Sequence, residues 1–187
     1  MNAAAHLQAE ALPTLHRVAQ AWQHTGVPTR VAWCVAAAGS VAIATRAWAP
    51  PPLIALVGVL LATAALVDVV EHRLPNLLLS GAAVTAVVAA ATTGELVVAA
   101  LGAVIAGGLL LAVRLVRGLG MGDVKMAAVL GAALGPRALV AAPLAIAVAS
   151  FVAVGIGLAL GRARLALGPS LWLGWAAASV MPLGWFR

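Results

Sequence analysis

LIALVGVLLATAALVDVV, residues 53–70, is almost wholly apolar and carries one charged side chain, Asp68, third from its end. About 20 apolar residues suffice for a helix to cross the hydrocarbon core of a bilayer. The stretch therefore predicts a membrane-spanning helix with a carboxyl group just inside one boundary. Apolar runs between charges and breakers continue on both sides, near 31–48, 77–93, 96–113, 121–135, 138–160 and 170–186. The fifth run in chain order, 121–135, is too short to cross alone, and the first carries Arg46, which can snorkel from near a helix end, before it stops at Pro50, Pro51 and Pro52. The expected fold is all-α, a polytopic transmembrane helical bundle of about six to seven spans.

Composition agrees. Of the 187 residues 64% are apolar and 9% charged, against about 45–50% and about 25% in soluble domains. That excludes a water-soluble globule and leaves no room for a separate soluble catalytic domain. The expected division is a polar lead-in over 1–28 and a transmembrane domain over 29–187. The lead-in has Glu10, three histidines and Pro13 without the apolar core of a signal peptide. An amphipathic interfacial helix over Ala3 to Gln23 and simple disorder both remain open for it.

The net charge of +6 does not mark a nucleic-acid protein, because the basic residues are scattered between apolar runs. They report orientation instead. Arg17, Arg30, Arg73, Arg114, Arg117, Lys125, Arg162 and Arg164 fall on one side of the expected topology, and Arg46, Arg137 and Arg187 on the other. That bias puts the first group in the cytoplasm, with the bilayer as a partner. The single cysteine, Cys34, excludes an internal disulfide and a Cys-based zinc site. Gly102, Gly107 and Gly108 suit close helix packing, and Trp172, Trp175 and Trp185 are expected to form an interfacial belt.

Chemistry has few candidates. Of five acidic residues, Glu10 and Glu95 fall in the lead-in and a loop, which leaves Asp68, Glu71 and Asp123. Asp123 follows Gly118-Leu119-Gly120-Met121-Gly122 and, in this topology, lies on the same side as Asp68 at a similar depth. Intramembrane carboxyls are costly and are functional candidates by default. Two of them in a partly dry place share a proton, one serving as base and the other as acid. Such a pair can activate water against an amide carbonyl without a metal, a cofactor or a covalent nucleophile. It can equally relay protons. Glycines before Asp123 permit positive φ and a close approach of a peptide backbone.

The sequence around the aspartates resembles the prepilin peptidases. Asp68-Val69-Val70-Glu71-His72-Arg73-Leu74-Pro75-Asn76 is similar to that family's aspartate, six residues, then Pro-Asn or Pro-Asp. Gly118-Leu119-Gly120-Met121-Gly122-Asp123-Val124-Lys125 is similar to its Gly-x-Gly-Asp motif, and Leu167-Gly168-Pro169-Ser170-Leu171-Trp172 to its Gly-Pro segment near the last helix. The likeness runs from about Leu53 to Gly174. It implies an aspartic endopeptidase that removes the basic leader of type IV (Flp-type) prepilins or pseudopilins at the cytoplasmic face, in association with pilus or type II secretion machinery. Asp68 and Asp123 map onto its catalytic aspartates, Gly120 and Gly122 onto the motif glycines, and Pro75, Asn76 and Lys125 onto motif positions. Lys125 could hold the pair electrostatically or snorkel to the surface, and Pro75-Asn76 could simply start the next helix.

Long members of the family carry two Cys-x-x-Cys pairs linked to methylation of the new amino terminus. With one cysteine, this chain is expected to lack that activity. Presenilin-like proteases share Gly-x-Gly-Asp, but their other aspartate follows tyrosine, which is absent here, and Ala142-Pro143-Leu144 only superficially resembles their Pro-Ala-Leu motif. The competing reading from another class is a small proton-coupled transporter or assembly subunit that uses the two aspartates as a relay.

Overall fold

The computed structural model describes residues 3–44, 49–117, 119–135, 138–161 and 166–180. Among the described residues eight helices follow one another: α1 (Ala3–His24), α2 (Val27–Ala44), α3 (Pro51–Glu71), α4 (Asn76–Thr93), α5 (Leu96–Arg117), α6 (Met121–Ala133), α7 (Ala138–Leu160) and α8 (Gly168–Val180). The described residues contain no strand. Five of the helices, α2, α3, α4, α5 and α7, are long and apolar enough to cross a membrane. The shorter α6 and α8 have 13 residues each, about 20 Å at 1.5 Å per residue, and are lodged among the longer ones. The polytopic all-α bundle expected from hydropathy is the fold observed.

Local chemistry sets the helix boundaries. Pro51 and Pro52 begin α3, where a missing N–H costs nothing because the first turn has no intrahelical acceptor for it. The same helix ends in His72, a non-glycine residue in the left-handed region (φ 52°), whose N–H bonds the Asp68 carbonyl at 2.9 Å. This terminal bond turns the chain sharply toward α4. Gly94, with φ 75°, closes α4 and returns the chain into α5.

Small residues bring the helices together. A Cβ on Gly131 of α6 would collide with the Gly102 carbonyl of α5, and one on Gly107 would lie 3.0 Å from Ala128 Cβ. Gly102 and Gly107 thus form a backbone-to-backbone seam. Gly108, expected to share this role, has open space beside it. Gly174 of α8 packs in the same way on Ala145 and Ala149 of α7. The outside of the bundle is apolar, with Phe151 83% exposed, as expected of a surface that meets lipid.

The tryptophans differ from expectation. Trp175 is wholly buried and Trp172 8% exposed, so neither belongs to an interfacial belt; Trp185 lies outside the described residues, as do Arg46 and Arg137. Trp172 donates its indole N–H to the Gly58 carbonyl at 3.2 Å, fastening α8 to α3. Their rings pack at 6.3 Å between centroids. A hydropathy reading cannot tell this arrangement from a belt, since both put an amphipathic ring near a helix end.

The lead-in is helical over Ala3–His24 and packs on α3 and α4. Arg30 ties its end to α2. The guanidinium donates to the Trp22 carbonyl at 3.1 Å and the Gln23 carbonyl at 3.3 Å, and lies 5.4 Å from the Trp22 ring centroid.

Candidate active site

Asp68 occupies the last turn of α3 and is 6% exposed. A buried carboxyl needs hydrogen-bond donors, and the backbone supplies one: the N–H of Gly168, first residue of α8, donates to Asp68 Oδ2 at 3.0 Å. A larger residue would be crowded there. A Cβ on Gly168 would stand 3.0 Å from that same oxygen and 3.2 Å from Ala65 Cα.

Asp123 enters from α6, in the first turn after Gly120, and is half-buried. Burial and then the negative charge of Asp68 push its carboxyl up to about 6, while a backbone hydrogen bond with Gly120 acts the other way. The two carboxyls, 55 positions apart (123 − 68), therefore lie within electrostatic reach at one end of the bundle. That end is also where α4 begins and α5 finishes.

The motif glycines serve close packing. Gly120 has φ −64° and ψ 142°, so the left-handed freedom expected of these glycines is not used there. A Cβ on Gly120 would lie 3.0 Å from Asp123 Oδ2, and one on Gly122 would lie 2.9 Å from Leu74 Cβ. Gly122 is filled by the protein's own Leu74. Gly118 lies outside the described residues. Arg114 steadies the turn by donating to the Leu119 carbonyl at 2.9 Å.

Pro75 is the N-cap residue of α4 and Asn76 its first helical residue, which agrees with their reading as a helix start. Asn76 does more. Its Oδ1 accepts a 3.0 Å hydrogen bond from Lys125 Nζ. Lys125 is thus engaged across the site by a neutral side chain, and among the described residues it forms no ion pair with either aspartate. Lys125 is itself exposed.

Beside Asp68 an apolar groove of about 350 Å³ opens between α2, α3 and α8. Trp33 bounds it on one side, Leu66 and Val69 on another, and Pro169, Trp172 and Leu173 on the third. Pro169 follows the glycine that holds Asp68, so groove and carboxyl share a wall. Sequence reasoning gave no role to Gly168, Leu74 or Arg114. The first was signalled by the Gly-Pro segment, while the other two carry no local mark, because their contacts depend on packing between helices.

Two carboxyls in this setting can hold one proton between them. The N–H at Asp68 Oδ2 suits an ionised acceptor, which leaves Asp123 as the natural carrier of that proton.

The comparisons bear on what such a pair does. A model of the type IV leader peptidase family matches residues 54–161, more than half of the chain and a range that holds both aspartates. Searches of curated proteins and of solved structures gave no match. Over the segment that holds both aspartates, the chain carries the pattern of a group of aspartic-type hydrolases, and it belongs to the type IV leader peptidase family.

Proposed function

We propose that the chain is a membrane endopeptidase that removes the basic leader of type IV prepilins, of the Flp type, or of pseudopilins, and that Asp68 and Asp123 are its catalytic pair. The observation that carries this reading is the meeting of the chain's two aspartates at one end of the bundle, one buried and the other feeling its charge, within the family match.

In the proposed reaction Asp68, ionised, takes a proton from a water molecule, and the resulting hydroxide attacks the scissile carbonyl carbon. Asp123, protonated, hydrogen-bonds the carbonyl oxygen as charge develops on it. The tetrahedral intermediate collapses when the proton that Asp68 took from water passes to the leaving nitrogen, which breaks the C–N bond and leaves the pair with one proton again. Gly120, Gly122, Pro75, Asn76 and Lys125 support the geometry. The groove beside Asp68 receives apolar side chains of the substrate segment next to the leader; its volume lies within the range of about 300–1,000 Å³ found for ligand sites.

The bias of basic residues supports an active site on the cytoplasmic face of the cell membrane. Association with pilus or secretion machinery follows from the substrate class. The test is cleavage of a co-expressed prepilin in membranes, read by the gel shift of the leader. The native chain should cut, and Asp68→Ala and Asp123→Ala should be inserted but inert. Cleavage by either variant would overturn the reading and bring the proton relay forward.

A further inference from the structure

We infer that the corner joining α3 to α4, residues 72–76, is the template that sets the spacing of the two aspartates, with Asn76 and Lys125 as positioning residues. The inference rests on the aspartic peptidase reading and assigns parts of the same site.

The first turn of α6 needs an outside hold. Its N–H groups have no intrahelical acceptors, and the helix is short and begins in a glycine-rich turn. Two contacts bracket Asp123, and both go to the corner. On one side Gly122 packs so closely on Leu74 that no Cβ would fit. On the other, Lys125 Nζ donates to Asn76 Oδ1 at 3.0 Å. The corner is in turn fastened to Asp68, whose carbonyl accepts the N–H of His72 at 2.9 Å. One residue thus offers its carboxyl to the site and its carbonyl to the template that positions the other aspartate. This gives a physical reason for the six residues between Asp68 and Pro75: the chain must end α3, turn through the left-handed His72, and present Leu74 and Asn76 to α6.

Charge alone does not explain Lys125. Asn76 opens α4, and a cation is disfavoured at the positive end of a helix dipole. The specific acceptor holds it there. The bond is solvent-accessible and weak as a contribution to folding, but small displacements of catalytic groups are expensive in rate, so its removal should show in turnover before it shows in stability.

The experiment uses the full chain with Asn76→Ala, Lys125→Met, the double variant, and Asn76→Asp, whose carboxylate can still accept from the ammonium group. Cleavage rates against substrate concentration and pH are measured for equal amounts of inserted protein. Each single variant should lower kcat about tenfold with KM little changed. The double variant should be no worse than either single, and Asn76→Asp should keep most of the native rate. The alkaline limb of the pH profile should move to lower pH in Asn76→Ala, which removes no charge, because a carboxyl farther from its partner gives up its proton more easily. The charged groups on elements packed against α6 are Asp68 and Glu71 on α3, with His72 just after it, and Arg114 and Arg117 on α5; α4, α7 and α8 carry none, and Lys125 is on α6 itself. The inference is overturned if kcat and the pH profile stay native, or if the single losses simply multiply with an unmoved profile. Failure of the native chain to cut, or cleavage by Asp68→Ala, would strike the peptidase reading itself and is read separately.

Discussion

The N–H of Gly168 and Oδ2 of Asp68 are joined by a 3.0 Å hydrogen bond across 100 positions of the chain. The start of α8 is thereby part of the candidate site, where Gly168 holds Asp68 by its backbone and Pro169 lines the groove beside it. Substituting Gly168→Ala inserts a methyl group 3.0 Å from the carboxylate oxygen and against Ala65, so either the bond lengthens or α8 retreats. Cleavage should fall about tenfold or more, because a shifted Asp68 carboxyl no longer stands in its productive position. Prepilin processing by equal amounts of inserted protein checks this. A native rate would mean that the bond is incidental.

Asp123 gives a prediction with a definite sign. Its folded-state carboxyl titrates at about 6, above the ordinary value of 3.8. Ionising it costs stability as the pH rises through this interval, and the cost is fully present above 6 and absent below the ordinary value. Asp123→Asn should therefore be inert in cleavage yet melt no lower than the native chain at pH 7.5 in detergent, with any advantage shrinking toward pH 4. An Asn variant that melts lower at pH 7.5 than at pH 4, relative to native, would contradict the assignment.

Glu71 ends α3 and is half-buried at the same face. A basic leader should feel it, but such a screened pair is worth under about 1 kcal/mol. Glu71→Gln should change KM less than about fivefold and leave kcat intact. A loss comparable to that of Asp68→Ala would place Glu71 in the catalytic machinery instead.

Much of this was legible in the chain. Hydropathy marked the seven apolar helices of the described residues, since a residue's preference for lipid does not depend on its neighbours, and the scarcity of carboxyls isolated Asp68 and Asp123. What the sequence hid was pairwise. That Gly131 meets Gly102, that Gly122 is filled by Leu74, and that Lys125 reaches Asn76 are consequences of helix rotation, which a nearly uniform apolar surface leaves unspecified. The tryptophans were misread for the same reason.

The last prediction turns on the two buried indoles. Trp172 Nε1 is paired with the Gly58 carbonyl at 3.2 Å, whereas Trp175 Nε1 is buried without a hydrogen-bond partner among the described residues. Replacing either by Phe removes similar volume and leaves a comparable void. Only Trp172→Phe also removes a satisfied bond, worth about 0.5–1.5 kcal/mol; Trp175→Phe removes an N–H whose burial is already a cost. Thermal melting in detergent should therefore rank Trp172→Phe below Trp175→Phe by about 1 kcal/mol. Because Trp172 also lines the groove beside Asp68, its variant should raise KM as well, while Trp175→Phe should leave KM unchanged. Equal and slight effects from both would return the rings to a lipid boundary and would detach the groove from substrate recognition.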